Sequence, residues 1–325
     1  MVYHTQIKTL GWLANHNLCM EFILEKNTWI IMKKITTLLF LIAIAITSYA
    51  QYSRGTVKES LTIDSKILGK QVKYTIYLPY DYETSTRYYP VVYLLHGLSD
   101  NDMAWMQYGE ANLIADECIA TREIPSMILV TPDGGTSFYI NNFDNSLRYE
   151  DFFIQEFMPF IEKTYRIRAE KRFRGIAGLS MGGFGTLNYA LKYPEKFAAC
   201  VAFSPALFSE ESMMNKNKED WSKVEQSIYG PYQEGTARLT EHYRKNNPFD
   251  VTKTKGKDAY RDLRIYIDCG DDDFLTDDNC RFHIHLDQLG IKHEFRMRDG
   301  IHNWPYWRSG LPAGLKFIGE SFHQF

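Results

Sequence analysis

The chain has 325 residues, of which 45% are hydrophobic and 15% aromatic, enough to bury one large core or two small ones. Its formal net charge is -3 and its basic residues are spread along the sequence, which argues against a polyanion-binding surface and excludes nucleic acid as the expected partner.

The first recognisable segment is an export signal at residues 32–50. Met32 and two lysines precede an apolar run at residues 38–46, and small residues stand at Ser48 and Ala50. A basic start, an apolar stretch too short to span a bilayer and small residues at the -3 and -1 positions are typical of a secretory signal peptide. The alternative is an N-terminal membrane anchor. We expect cleavage after Ala50.

This interpretation sets the boundaries of the domains. Residues 1–31 precede the signal and are interpreted as a non-native upstream extension, with Met32 as the true start. The mature chain is then a single domain, residues 51–325, which is secreted or periplasmic and has no stable insertion in a membrane after signal cleavage.

Short apolar runs alternate with amphipathic stretches through the mature chain. The runs predict strands at residues 72–78, 91–95, 127–130, 174–177, 199–203, 263–269 and 293–297. Helical spacing of apolar residues predicts helices at residues 148–165, 182–192, 278–289 and 310–322. Strands separated by helices indicate an α/β fold with a mostly parallel sheet that is covered by helices on both faces.

Residues 206–258 interrupt this alternation. They are rich in Lys, Glu, Asn and Tyr, contain Pro231 and Pro248, and include no continuous strand-like run. We interpret them as a helical insertion, or cap, over the carboxyl edge of the sheet, where α/β enzymes place their ligand sites.

The cysteines give no metal-ligand spacing and no CxxC pair. Cys200 and Cys269 lie in apolar strand-like runs, which favours buried free thiols. We therefore predict neither a metal site nor a bound cofactor.

Ser180 is the candidate nucleophile. Gly178-Leu179-Ser180-Met181-Gly182 matches G-x-S-x-G and stands between a predicted strand and a predicted helix, the context in which this motif forms a nucleophile elbow. The alternative is a glycine-rich packing turn. At the start of a helix, backbone N–H groups and the helix dipole favour a developing negative charge.

His302 is the candidate general base because a serine hydroxyl needs a base to react at neutral pH. In this type of fold the base lies just after the last strand, and among nine histidines only His302 has that position. The orienting acid should follow the strand before it, where Asp271, Asp272 and Asp273 are candidates. The spacing does not choose between Asp272 and Asp273.

Two backbone donors are needed for an oxyanion hole. The N–H of Met181, directly after the nucleophile, is the first, and the loop that follows residues 91–95 should supply the second. That loop begins His96-Gly97-Leu98, and we assign the second donor to Leu98.

These motifs together resemble the esterase D-like family of α/β-hydrolases. His96-Gly97, Gly178-Leu179-Ser180-Met181-Gly182-Gly183 and Gly300-Ile301-His302 occur in that family's order. The resemblance implies an α/β-hydrolase fold for residues 51–325. It also implies that Asp273, three residues beyond Gly270, is the acid. The chain departs from the family at Leu98-Ser99, where a second glycine is common.

The family includes feruloyl and acetyl xylan esterases, S-formylglutathione hydrolases and mycolyltransferases. The resemblance, with the export signal, implies an esterase that acts on small-molecule or oligosaccharide esters, such as acetyl or feruloyl esters of carbohydrate. The alternatives are an acyltransferase of the mycolyltransferase type, a thioesterase like the S-formylglutathione hydrolases, or a binding protein without activity. Tyr139, Asn141 and Asn142 are candidates for the lining of a substrate pocket, as are Trp304 and Trp307 for stacking on a ring. The alternative is burial within the packing of the loop itself, so these residues are not assigned to the site.

Overall fold

The computed structural model describes residues 28–41 and 54–322. Residues 28–41 form one helix (α1) with exposed side chains, and they belong to a different unit of the chain from residues 54–322. Ala50, the expected cleavage point, lies outside the described residues, as does the end of the predicted apolar run. Within the two described ranges, no helix has the length and apolar character needed to cross a bilayer.

An eight-stranded sheet forms the centre of the second unit. Its strands lie in the order β1-β2-β4-β3-β5-β6-β7-β8; β1 and β2 are antiparallel to their neighbours, and the pairs from β4 to β8 are parallel. The strands are β1 Thr56–Ser65, β2 Lys70–Leu78, β3 Val91–Leu95, β4 Ile128–Pro132, β5 Arg174–Leu179, β6 Ala199–Phe203, β7 Arg264–Gly270 and β8 Glu294–Arg298. The mostly parallel sheet predicted from the sequence is confirmed.

Helices connect the strands. They are α2 Ala104–Gln107, α3 Ala111–Ala120, α4 Tyr149–Phe152, α5 Met158–Thr164, α6 Met181–Lys192, α7 Glu210–Asn215, α8 Lys218–Lys223, α9 Glu225–Tyr229, α10 Glu241–Asn246, α11 Pro248–Lys255, α12 Thr276–Gln288 and α13 Trp304–Phe322. A π-helical turn, Phe153–Phe157, joins α4 to α5 into one continuous helical segment.

The core has two halves, one on each face of the sheet. Val91 and Tyr93 of β3 pack into one half with residues of α5, α6 and α12, whereas Val92 and Leu94 pack into the other with residues of α3 and α13. All four side chains are fully buried, as expected for the centre of a sheet that is covered on both faces.

The sequence analysis did not predict β1 or α3, and the predicted start of α13 is too late. β1 is an edge strand with few buried side chains, so it carries little hydrophobic signal. α13 begins at Trp304 rather than at residue 310. Pro305 stands in its first turn, where a missing N–H breaks no hydrogen bond within the helix.

Residues 206–258, between β6 and β7, carry α7 to α11 and pack onto α6. The Trp221 side chain is fully buried and donates a hydrogen bond to the Gly230 carbonyl (2.8 Å). Asn188 of α6 donates to the Asn246 carbonyl (2.9 Å). This segment therefore contributes directly to the main core.

Candidate active site

Ser180 occupies the turn between β5 and α6 in a conformation rare for a non-glycine residue, with φ 52° and ψ -118°. The turn is held on both sides by the chain that leaves β6. The Ser180 N–H donates to the Phe203 carbonyl, and the Ala206 N–H donates to the Ser180 carbonyl, both at 2.9 Å. Backbone in such a region persists only where the surroundings fix it.

Two glycines make this turn possible because the backbone on either side of Ser180 is crowded. A Cβ atom at Gly178 would stand 2.3 Å from the Gly182 carbonyl oxygen. A Cβ atom at Gly182 would stand 2.2 Å from the carbonyl oxygen of Leu95, at the end of β3. Glycine is thus required at the first and last positions of G-x-S-x-G because the neighbouring backbone leaves no room for a side chain. In the sequence, the motif was the only sign of this requirement.

His302 lies in the loop between β8 and α13. Its Nε2 is 2.9 Å from the Ser180 Oγ, and its Nδ1 is 2.8 Å from the Asp273 Oδ2. The structure therefore brings together three side chains that follow three different strands of the sheet. The arrangement is that of a hydroxyl, an imidazole and a carboxylate in one hydrogen-bonded line.

A buried ion pair anchors both ends of the loop that carries His302. Arg298, at the end of β8, contacts the fully buried Asp268 carboxylate through Nε (2.9 Å) and Nη2 (3.0 Å). The Tyr306 hydroxyl, in the first turn of α13, donates to the same carboxylate (2.5 Å). The charged Asp268 inside the predicted strand at residues 263–269 was the only sequence signal of this anchor.

The Asp273 carboxylate is buried, and both of its oxygen atoms have hydrogen-bond partners. Its Oδ2 faces His302, and its Oδ1 accepts the Leu275 N–H (2.9 Å). Burial acts to raise the pKa of this carboxyl, but the hydrogen bonds from His302, the Leu275 amide and Ser204 outweigh it and hold the pKa below its usual value. The Trp307 indole in turn donates to the Ser204 Oγ (3.1 Å). Asp273 is therefore suited to remain ionised beside the imidazole.

Asp271 and Asp272 are exposed, and the carboxylate that is hydrogen-bonded to His302 is that of Asp273. The Asp271 Oδ1 accepts the N–H groups of Asp272 and Gly300, so it helps to hold two neighbouring turns together. With Asp299 they form the group of acidic side chains, among the described residues, whose oxygen atoms come within 4.8 Å of one another and could ligate a cation. Exposed carboxylates commonly cluster without an ion, and this group carries no inference about a metal.

The N–H of Met181 is at the first position of α6, where an N–H has no partner within the helix. The loop after β3 borders the same space. A Cβ atom at Gly97 would stand 3.7 Å from the Ser180 Cβ. Met181 and Gly97, the residue before the predicted donor Leu98, thus adjoin the nucleophile.

The His96 side chain orients the peptide that contains the Leu98 N–H. The Gly134 N–H donates to the His96 Nε2 (2.8 Å), so the ring proton is on Nδ1, which donates to the Gly97 carbonyl (2.7 Å). The described chain contains no cis peptide bond. In a trans peptide the N–H points opposite to the C=O. The Leu98 N–H therefore points away from the His96 ring.

Asp100 and Trp304 complete the loop side of the site. The Asp100 Oδ2 would be 3.4 Å from a Cβ at Gly97, the position that also borders Ser180. Burial raises the pKa of the Asp100 carboxyl above its usual value, against the opposing effects of His96, the Gly97 amide and the Trp304 side chain. Trp304 packs edge-on against Trp105 at 5.4 Å between ring centroids.

Large apolar side chains surround this site and face solvent. Leu98, Phe274 and Ile301 are exposed, and each belongs to a loop that follows a different strand and is adjacent in sequence to Gly97, Asp273 or His302. No sequence pattern distinguished Phe274 or Ile301 from ordinary loop residues.

Three of the expected lining residues lie elsewhere. Tyr139 is fully buried, with its hydroxyl hydrogen-bonded to the His96 carbonyl (3.1 Å), so this candidate does not line a substrate pocket. Asn141 lines a hollow of about 530 Å³ with Lys192, at the end of α6 opposite Ser180, and Asn142 follows in the same loop. Trp307 is buried against His302 at 4.8 Å between centroids and cannot stack on a ligand.

Comparisons with known proteins agree on one group. The family model described as "Putative esterase" matches residues 65–318. Esterase Rv1288 of Mycobacterium tuberculosis is 31% identical over 257 residues, 76% of this chain and 53% of that protein, so the chain spans about half the length of this relative. The acetyl esterase of Caldicellulosiruptor saccharolyticus is 26% identical over 264 residues, 79% of this chain and 96% of that protein.

A solved structure of a ferulic acid esterase is also similar. It has a TM-score of 0.71 and 31% identity, and the match covers 83% of this chain and 99% of that chain. The α/β-hydrolase fold expected from the motifs is confirmed.

Proposed function

The chain belongs to the esterase family, whose members are carboxylic ester hydrolases, and on that premise we propose that it is a secreted serine esterase of acylated carbohydrate. In this proposal Ser180 is the nucleophile, His302 the general base and Asp273 the orienting acid. The observation that carries it is the line of hydrogen bonds from Asp273 through His302 to Ser180, at 2.8 and 2.9 Å.

The first half of the reaction acylates Ser180. His302 Nε2 takes the hydroxyl proton while Oγ attacks the ester carbonyl carbon, and the carbonyl oxygen becomes an oxyanion. The N–H groups of Met181 and Leu98 stabilise this charge. The C–O bond to the alcohol then breaks, and His302 gives the proton to the leaving oxygen.

The second half regenerates the enzyme. Water gives a proton to His302 and attacks the acyl carbon, and the acid leaves as the proton returns to Ser180. Asp273 remains ionised throughout. Its role is to hold the imidazole with the proton on Nδ1 and to stabilise the imidazolium, which its lowered pKa favours.

Carbohydrate esters are proposed as substrates on three grounds. Two similar proteins are named acetyl esterase and ferulic acid esterase. The site combines aromatic side chains with the Asp100 carboxyl, which can accept hydrogen bonds from hydroxyl groups. The signal-peptide pattern at residues 32–50 supports an exported enzyme, which would meet polymeric esters outside the cell.

The test compares esters of one acid with different alcohols. The purified protein should hydrolyse acetylated or feruloylated xylo-oligosaccharides with kcat/KM at least about tenfold above that for the methyl ester of the same acid, because contacts with the remote alcohol can be used in the transition state. Ser180→Ala protein is the control for background hydrolysis. Equal rates on both substrate types would reject the carbohydrate assignment. Acyl transfer to added sugar that outpaces hydrolysis would instead establish an acyltransferase.

A further inference from the structure

Phe274 is the most exposed large apolar side chain among the described residues, at 78%. It stands between two buried residues, Asp273 and Leu275. The turn is fixed by hydrogen bonds from the Leu275 N–H to the Asp273 Oδ1 (2.9 Å) and from the Thr276 N–H to the Asp273 carbonyl (3.0 Å). Since its neighbours are held in place, the ring is presented to solvent by the fold and not by a loose loop.

The ring of Phe274 lies directly beside the imidazole of His302. Their centroids are 4.6 Å apart with an interplanar angle of 52°. On another side, His302 meets the buried ring of Trp307 edge-on. The imidazole therefore contacts two aromatic rings, one that belongs to the core and one that is open to a ligand.

The chemistry places the alcohol of the substrate near this ring. The leaving oxygen receives its proton from the His302 Nε2, so it must come within hydrogen-bonding distance of that nitrogen. The acyl group stays on Ser180, on the other side of the breaking bond. A bulky alcohol that approaches Nε2 consequently has the exposed ring of Phe274 within reach.

We propose that Phe274 is a specificity-determining residue, a platform on which the sugar unit of the leaving alcohol lies. The proposal rests on the function proposed above and names the part of the site that binds the alcohol. A sugar ring presents C–H groups on its face and hydroxyl groups at its edge, so it can cover an aromatic ring while its hydroxyl groups remain in water. A methyl group is too small to cover Phe274.

The two halves of the reaction should depend differently on Phe274. The alcohol is present only until the bond to the acyl group breaks and His302 has protonated the leaving oxygen. Loss of the Phe274 ring should therefore slow acylation by a sugar ester and leave the hydrolysis of the acyl-enzyme unchanged.

The experiment uses the full chain with Phe274→Ala, Phe274→Tyr and, as a matched control, Ile284→Ala, which removes a similarly exposed apolar side chain from α12. The substrates are an acetylated xylo-oligosaccharide and methyl acetate. Phe274→Ala should lower kcat/KM on the oligosaccharide by about tenfold, as expected for the loss of one aromatic contact. It should change methyl acetate hydrolysis and the single-turnover rate of deacetylation less than twofold. Phe274→Tyr should restore the oligosaccharide activity, and Ile284→Ala should behave as wild type.

Equal losses on both substrates would overturn the proposal, because Phe274 would then act through His302. An unchanged rate on the oligosaccharide would overturn it as well, as would a wild-type enzyme that hydrolyses methyl acetate and no sugar ester. A wild-type protein that hydrolyses no ester would contradict the proposed function itself.

Discussion

At the scale of single residues, the choice among three consecutive acids depends on one tight turn. The sequence could narrow the orienting acid to the run from Asp271 to Asp273, and only the family resemblance favoured Asp273. In the structure Asp273 is buried and faces His302, whereas Asp272 is exposed. The hydrophobic pattern does not show which way each side chain of a turn points, so only the structure distinguishes Asp273 from Asp272.

The two acids provide a matched pair for mutation. Asp273→Asn should lower kcat by about four orders of magnitude, because an amide cannot hold the imidazole in the required tautomer or stabilise its charged form. Asp272→Asn should change kcat less than threefold, because that side chain is exposed and away from the imidazole. Steady-state kinetics with a simple acetyl ester measures both, and thermal unfolding checks that each variant is folded. Equal effects, or the opposite order, would show that the acid is misassigned.

The buried position of Tyr139 could not be predicted from its neighbours in the sequence. It follows a glycine pair in a loop at the carboxyl edge of the sheet, which suggested a ligand contact. In the structure its side chain fills the space beside two glycines. A Cβ atom at Gly134 would stand 2.5 Å from the Tyr139 Cε1, and one at Gly185 would stand 2.6 Å from the Tyr139 Cβ. Two glycines far apart in sequence create the slot, and no local pattern could show that they meet.

At the scale of elements, buried strands and the elbow were predictable because each has a local signal. β3 and β6 were placed at the residues that the structure shows, since a continuous apolar run is typical of a central strand. β1 was missed because an edge strand needs few apolar residues. α13 was placed too late because its first turn follows the site loop directly and contains Pro305, and the helical periodicity of apolar residues did not extend to it.

The N-terminal segment has a prediction of its own. Export should remove everything through Ala50, because the small residues at Ser48 and Ala50 fit a signal peptidase site. N-terminal sequencing of protein collected outside the producing cell should begin at Gln51. Recovery of the uncleaved chain in a membrane fraction would favour the anchor. A matched variant, Ala50→Leu, should block cleavage and leave the apolar segment attached.

At the scale of the whole molecule, the sheet explains how distant residues meet. β3, β5, β7 and β8 are parallel, so the loops that follow them emerge at one edge. Those loops carry Leu98, Ser180, Asp273 and His302. The mostly parallel sheet was predicted from the alternation of strands and helices, whereas the order of the strands comes from the structure. The exposed apolar side chains around the site, with Phe274 foremost, follow from the folded surface and had no counterpart in the sequence pattern.

Covalent labelling tests whether Ser180 is the residue that becomes acylated. The protein should react with one equivalent of a fluorophosphonate, lose its esterase activity in proportion, and yield a single modified peptide in which mass spectrometry places the phosphonyl group on Ser180. Ser180→Ala protein should take up no label under the same conditions, although its fold should be intact by thermal unfolding. A label on another residue, or an alanine variant that retains esterase activity, would show that Ser180 is not the nucleophile.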